Sequence, residues 1–239
     1  MLEGNWLRVL DHLLGWRRDL HRGYGLHTEV DIRASELLQG SGPWRDLKLS
    51  PAVRLAVFRQ GLEQLHQLAP GPHATAAGVR AFAVVLPDRH DARITDGTPE
   101  EAWEVLLERL RSFSEAEGSD VQLWISSMTP LTARRIARQS RRKGLVPSAY
   151  ATGWLSRPFT RLIEDPVVKT TQSSYPLQLS GLVAYTALRT VVPVGTSRLP
   201  RWTWLGNSVL RAVNYLERRE RGSQEPPGLV VWPDRNLPT

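Results

Sequence analysis

Apolar residues at Trp6, Val9, Leu10, Leu13, Leu14 and Leu20 recur at three- and four-residue steps with Arg17 on the same stripe, and predict a helix closed by Gly23 and Gly25. Ser50 as N-cap with Pro51 at the first helical position announces a second helix carrying Val53, Val57, Leu65 and Leu68, which ends before Pro70-Gly71-Pro72. Residues 78–86 (GVRAFAVVL) are short and rich in β-formers, as a buried strand requires. Thr98-Pro99-Glu100-Glu101 repeats the cap, proline and acidic-first-turn signature, and Trp103, Leu106, Leu107, Leu110 and Phe113 then form an amphipathic stripe ending at Gly118. Residues 120–126 (DVQLWIS) alternate Val121, Leu123 and Ile125 against Gln122 and Trp124, the pattern of a strand with one face in the core. A helix follows from Thr129-Pro130 to Gly144, its inner face built from Ala133, Ile136 and Ala137. Beyond it the pattern predicts a short β stretch at 145–152, a buried helix at 176–191, a polar helix at about 204–221 and a last strand at 229–232. Alternating helices and strands predict one α/β domain over residues 1–239, with a mostly buried sheet.

Composition narrows the chemistry. Of 239 residues 41% are hydrophobic and 23% charged, so there is material for a core and little reason to expect disorder. The absence of cysteine excludes disulfides, thiolate metal sites and thiol nucleophiles together. Lys plus Arg outnumber Asp plus Glu by 31 to 24, a net charge of +7 that favours polyanionic or acidic partners; apart from Lys48, Lys143 and Lys169 the cations are arginines. The N-terminal stretch is charged every few residues, unlike a secretory signal, and no run approaches the roughly 20 apolar residues of a membrane span. The expectation is a cytoplasmic protein with no membrane partner.

Two-cation hydrolysis of a phosphodiester needs several carboxylates converging from different strands. The strand at 120–126 instead runs into Ser126-Ser127. Glu164-Asp165-Pro166 is the one acidic pair in a turn-forming context, and an Asp before Pro more often fixes its loop by bonding nearby amides. Asp88, His90 and Asp91 share a loop and read as solvated. The six histidines (12, 21, 27, 66, 73 and 90) lie in the first ninety residues at no zinc-ligand spacing. GxxxxGK, GxGxxG and GxSxG signatures are absent. The strongest positive feature is the run Arg134, Arg135, Arg138, Arg141, Arg142 and Lys143, six cations in ten residues, which must be solvated or matched by an anion such as phosphate. Trp202 and Trp204 beside Arg201 add stacking candidates.

The string WLSRPFTRLIEDPVVKTTQSSYPLQLSGLVAYTALRTVV at 154–192 resembles the actinobacterial branch of domain-of-unknown-function family 3800. Glu164, Asp165, Pro166, Lys169, Ser174, Gln178, Leu179, Leu182, Ala184 and Tyr185 fit the family's pattern. The first helix with Tyr24-Gly25, the segment RRKGLVP at 141–147 and GLVVWP at 228–233 resemble further family segments. The resemblance implies a ribonuclease H-like fold with a mixed sheet flanked by helices, and an ancestry in metal-dependent nucleases.

The departures fall on the acidic positions. Gly181 stands where the family has the Asp of its Gln-Leu-Ala-Asp helix, Thr170-Thr171 where it has Asp-Ser, and Ser126-Ser127 roughly where it has Asp-Glu. Its Glu-Leu-His-Ala motif corresponds to Asp31-Ile32-Arg33-Ala34, and its opening Asp-Glu-Ser strand has no counterpart. A site stripped of these carboxylates cannot neutralise two divalent cations. The resemblance therefore implies a catalytically degenerate protein with no catalytic residues and no cofactor, acting by binding nucleic acid or an acidic protein partner in a phage or mobile-element setting. A sheet lacking its first strand would also expose backbone groups and favour self-association. The rival expectation is a metal-dependent nuclease using magnesium or manganese on a rearranged site of Asp31, Glu164 and Asp165, which must then lie close together.

Overall fold

The structure, a computed structural model, describes residues 3–68, 79, 81–85, 99–126, 128–143, 145–147, 154–192 and 229–231. The predicted helix at 204–221, the Trp202 and Trp204 pair and the Asp88, His90 and Asp91 loop lie outside the described residues. The chain divides into two compact units, one made of residues 1–82 and 170–212, the other of 83–169 and 213–239.

The first unit is helical among its described residues. Helix α1 (Glu3–Tyr24) buries Leu13, Arg17 and Leu20 of the predicted stripe, and Trp16, which the stripe did not include. It stops at Gly25, which takes a left-handed φ of 70° that a side chain would strain. A short helix, α2 (Ala34–Gln39), and a single 3₁₀ turn at Gly42–Trp44 follow, the latter burying Trp44. Helix α3 (Pro51–Leu68) starts where the cap was expected, the Val53 amide donating to Ser50 Oγ at 3.3 Å. After residue 169 the chain adds a 3₁₀ turn at Thr171–Ser173 and then the helix α6 (Tyr175–Val191). Helices α1, α2 and α3 all pack against α6, with Phe58 and Tyr185 edge to face at 6.1 Å.

Helix α3 approaches closely at Gly61. A Cβ there would lie 2.4 Å from Leu182 Cδ1 and 3.1 Å from Trp16 Cζ2, and both of those side chains are buried. Gly61→Val is therefore expected to destabilise by about 1–3 kcal/mol through overpacking. A urea unfolding midpoint unchanged from wild type would show that the three helices can separate at no cost.

The second unit holds helices α4 (Pro99–Glu117) and α5 (Pro130–Lys143) and all the described strands. Strand β1 (Ala83–Val85) pairs in parallel with β6 (Leu229–Val231). Strand β2 (Trp124–Ile125) pairs in parallel with β5 (Val167–Val168), and β3 (Leu145–Pro147) pairs antiparallel with β4 (Trp154–Ser156). The α/β class holds at this level; among the described residues the strands form three two-stranded pairings. The core gathers Leu107, Leu123, Ile125, Ala133, Ile136, Ala137, Phe159 and Leu162.

The strand predicted over 120–126 is interrupted by its partner. Val121 bridges Leu162, whereas Trp124 is opposite Val167, so the partner spends two more residues than β2 does over the same span. Such a bulge breaks the ladder and turns side chains out of the sheet. Here Ile163–Pro166 stand against Gln122 and Leu123; the Ile163 amide still donates to the Val121 carbonyl at 3.1 Å, and Gln122 Nε2 braces the turn by donating to the Asp165 carbonyl at 3.3 Å. No helix among the described residues is long and apolar enough to cross a membrane.

Candidate nucleic-acid interface

Helix α5 owes its orientation to three small or aliphatic residues. At about 100° per residue, Ala133, Ile136 and Ala137 occupy one arc, and Arg134, Arg135, Arg138, Arg141 and Arg142 fill an adjoining arc of about 120°. The first set is buried against the second unit's core. Burying the narrow side leaves the guanidinium groups no choice but the outer face, because an unpaired buried charge would cost several kcal/mol. Exposed Leu131 opens the same arc, and Lys143, also exposed, falls outside it.

The six cations are not equivalent. Arg135 reaches Glu100 at 3.8 Å with both side chains exposed, a pairing of little energetic weight. Arg138 grips both carboxylate oxygens of Asp165, with Nε at 3.2 Å from each and Nη2 at 2.7 Å from Oδ2. Arg141 adds Nη2 to Oδ1 at 2.5 Å and donates from Nη1 to the Ile163 carbonyl at 3.4 Å. Arg134 and Arg142 are exposed and make no side-chain ion pair among the described residues. Two of the arginines are thus matched by an internal carboxylate, which the charge run alone did not reveal.

The bulge is what delivers that carboxylate. Its turn projects Asp165 toward the last turns of α5, and the Phe159 amide caps the Ser140 carbonyl at 3.0 Å, holding the same two segments together. Hydrogen bonding to Arg138 lowers the Asp165 carboxyl from its usual 3.8 against an opposing desolvation, with the charges of Arg138 and Arg141 adding to the effect. The sign of the linkage follows: the pair's contribution to stability is whole above 3.8 and fades as pH falls through the depressed value. Asp165 grips guanidinium groups of α5 rather than the nearby amides expected of it. Glu164 beside it is exposed.

Asp31 belongs to the first unit and has its own partners. Its Oδ2 accepts from Arg33 Nε at 2.9 Å and from the Thr171 hydroxyl, while Oδ1 is buried without a hydrogen bond. Positions 31 and 171, which the resemblance maps onto separate acidic motifs, are therefore in contact. Gln178 lies in the same network: its Nε2 donates to the Thr171 carbonyl at 3.0 Å and its Oε1 accepts from Arg17 Nη1 at 3.1 Å. Arg17 is fully buried, and Nη2 also donates to the carbonyls of His27, Thr28 and Val30. Burial pushes its pKa down to about 10, opposed by Tyr175 and Asp31, so it is charged at neutral pH. A permanent cation thus sits within the network that Asp31 shares. Sequence reasoning placed Arg17 on the buried stripe but gave it no role.

Among the described residues no three His, Asp or Glu side chains converge as a group able to hold a metal ion. Asp31 is committed to Arg33 and Thr171 in one unit, and Asp165 to Arg138 and Arg141 in the other. The Lys169 ammonium lies 3.6 Å from the centroid of the Trp124 ring, so a cation of the same unit already covers one face of that ring. Comparison with protein-family models, with curated proteins and with solved structures found no match to this chain.

Proposed function

We propose that this protein works by binding the phosphate backbone of nucleic acid through the outer face of α5, on a ribonuclease H-like ancestry whose catalytic carboxylates have been replaced. The observation that carries this reading is the segregation on α5. Arginines fill one arc, small residues bury the adjoining one, and the nearest candidate catalytic carboxylate, Asp165, is held in a two-arginine ion pair. The charge of a carboxylate so engaged is already matched by two guanidinium groups. Arg134 and Arg142 are eight residues apart, about 12 Å along the helix, which lets them meet separate phosphates.

The test is anisotropy of a labelled 20-base-pair DNA duplex across a salt series. Each phosphate contact adds about −0.9 to the slope of log K against log salt. Charge reversal at Arg134 and Arg142 together should weaken binding and flatten that slope by about two. An unchanged affinity and slope would discard this face. Cleavage of DNA or RNA by the purified protein in magnesium or manganese would overturn the binding-only reading.

A further inference from the structure

The geometry points to Asp165 as an internal stand-in for a phosphate: we propose that Arg138 and Arg141 form a phosphate-gripping fork, held shut by Asp165 until a nucleic-acid backbone phosphate displaces it. This deepens the proposed function and rests on it.

Arginine takes carboxylate and phosphate with the same planar, two-pronged donor set, so a guanidinium pair organised around one is organised for the other. Arg138 presents Nε and Nη2 to the two Asp165 oxygens, and Arg141 closes on Oδ1 from the next turn. The pair is accessible rather than sealed. The side chain of Arg138 is 58% exposed, and those of Arg141 and Asp165 are 27% and 26% exposed, so an incoming anion can reach the guanidinium groups. The carboxylate is mounted on the turn over Glu164–Pro166, between the Ile163 amide bonded to the Val121 carbonyl and the Val167 amide bonded to the Leu123 carbonyl. Its side chain can rotate away from α5 without breaking either main-chain bond. On the same arc, Arg134 and Arg142 lie on either side of the fork along α5, so displacing Asp165 joins the arginines into one continuous track. Ion pairs this exposed are individually weak, which makes exchange with a polyanion feasible.

The experiment compares Asp165→Asn with Glu164→Gln on the full chain, using the same labelled 20-base-pair duplex. Both variants remove one negative charge from adjacent positions, but only Asp165 holds the fork. Asp165→Asn should tighten duplex binding by about three- to tenfold at fixed salt, and Glu164→Gln by less than about twofold. Equal effects would mean that only net charge matters and would overturn the fork, while leaving the α5 reading to the Arg134 and Arg142 variants. Looser binding by Asp165→Asn would make Asp165 a positioning residue and would also overturn it. Absence of duplex binding by wild type and by both variants would remove the proposed function and the fork together. Should Asp165→Asn fail to fold, the wild-type protein gives an independent readout. The Arg138 Nε–H NMR resonance should move on saturation with duplex as its carboxylate partner is exchanged, and a resonance that stays put while duplex is bound overturns the proposal.

Discussion

Replacing Arg17 with Met is expected to cost about 3–5 kcal/mol, the largest loss from any single polar side chain described. Methionine keeps much of the buried stem, so the loss isolates the head group. Four acceptors bond to it: the carbonyls of His27, Thr28 and Val30, and Gln178 Oε1; of these the His27 carbonyl also accepts from the Val30 amide at 3.0 Å. An apolar replacement of a buried ion pair can be neutral when both partners go, but the main-chain carbonyls of Thr28 and Val30 cannot be removed by substitution and lose this donor. Arg17→Lys should recover only part, since one ammonium cannot serve four acceptors spread over two segments. Urea unfolding followed by circular dichroism measures the effect. A loss below about 1 kcal/mol for Arg17→Met would show that the acceptors find other donors.

Phe159→Ala should cost a similar amount, about 3–5 kcal/mol, by a different route. The ring is fully buried in the core shared by α4, α5 and β2, so truncation removes apolar burial and leaves a cavity. The Phe159 amide also caps the end of α5, and a shift of residue 159 to fill the space would put that bond at risk. Hydrogen exchange should show lost protection over α5 and β2, the elements around the cavity. Uniform protection factors in Phe159→Ala would contradict this placement. Because α5 carries the proposed interface, duplex affinity should fall alongside its protection.

The long helices were legible because each announces itself with local signals. Ser50 with Pro51 starts α3, Pro99 with acidic neighbours opens α4, and Pro130 opens α5; in α3 and α4 an apolar stripe then persists for several turns, whereas α5 shows itself by its run of arginines beside Ala133, Ile136 and Ala137. Helix α2 is six residues long and too short for a stripe to emerge. Strands β4 and β5 span three and two residues, less than a period-2 pattern needs. Contacts distant in sequence were the other blind spot. The basic arc of α5 could be read directly, but its partial neutralisation could not, since Asp165 is 27 residues from Arg138 and 24 from Arg141. Arg17 shows the same split: its burial followed from Leu13 and Leu20 on the same stripe, whereas Gln178, 161 residues away, became its partner only through the fold.

The first unit is assembled from two stretches that leave the ribosome far apart in time. Helix α3 ends at Leu68, and α6, which covers it, begins at Tyr175. At about 5–20 residues per second, roughly a hundred intervening residues impose a delay on the order of ten seconds. During that interval Phe58 and Gly61 lack Tyr185 and Leu182, the α6 residues they face, and the nascent chain is a ready client for any chaperone that holds apolar helices until their last partner emerges.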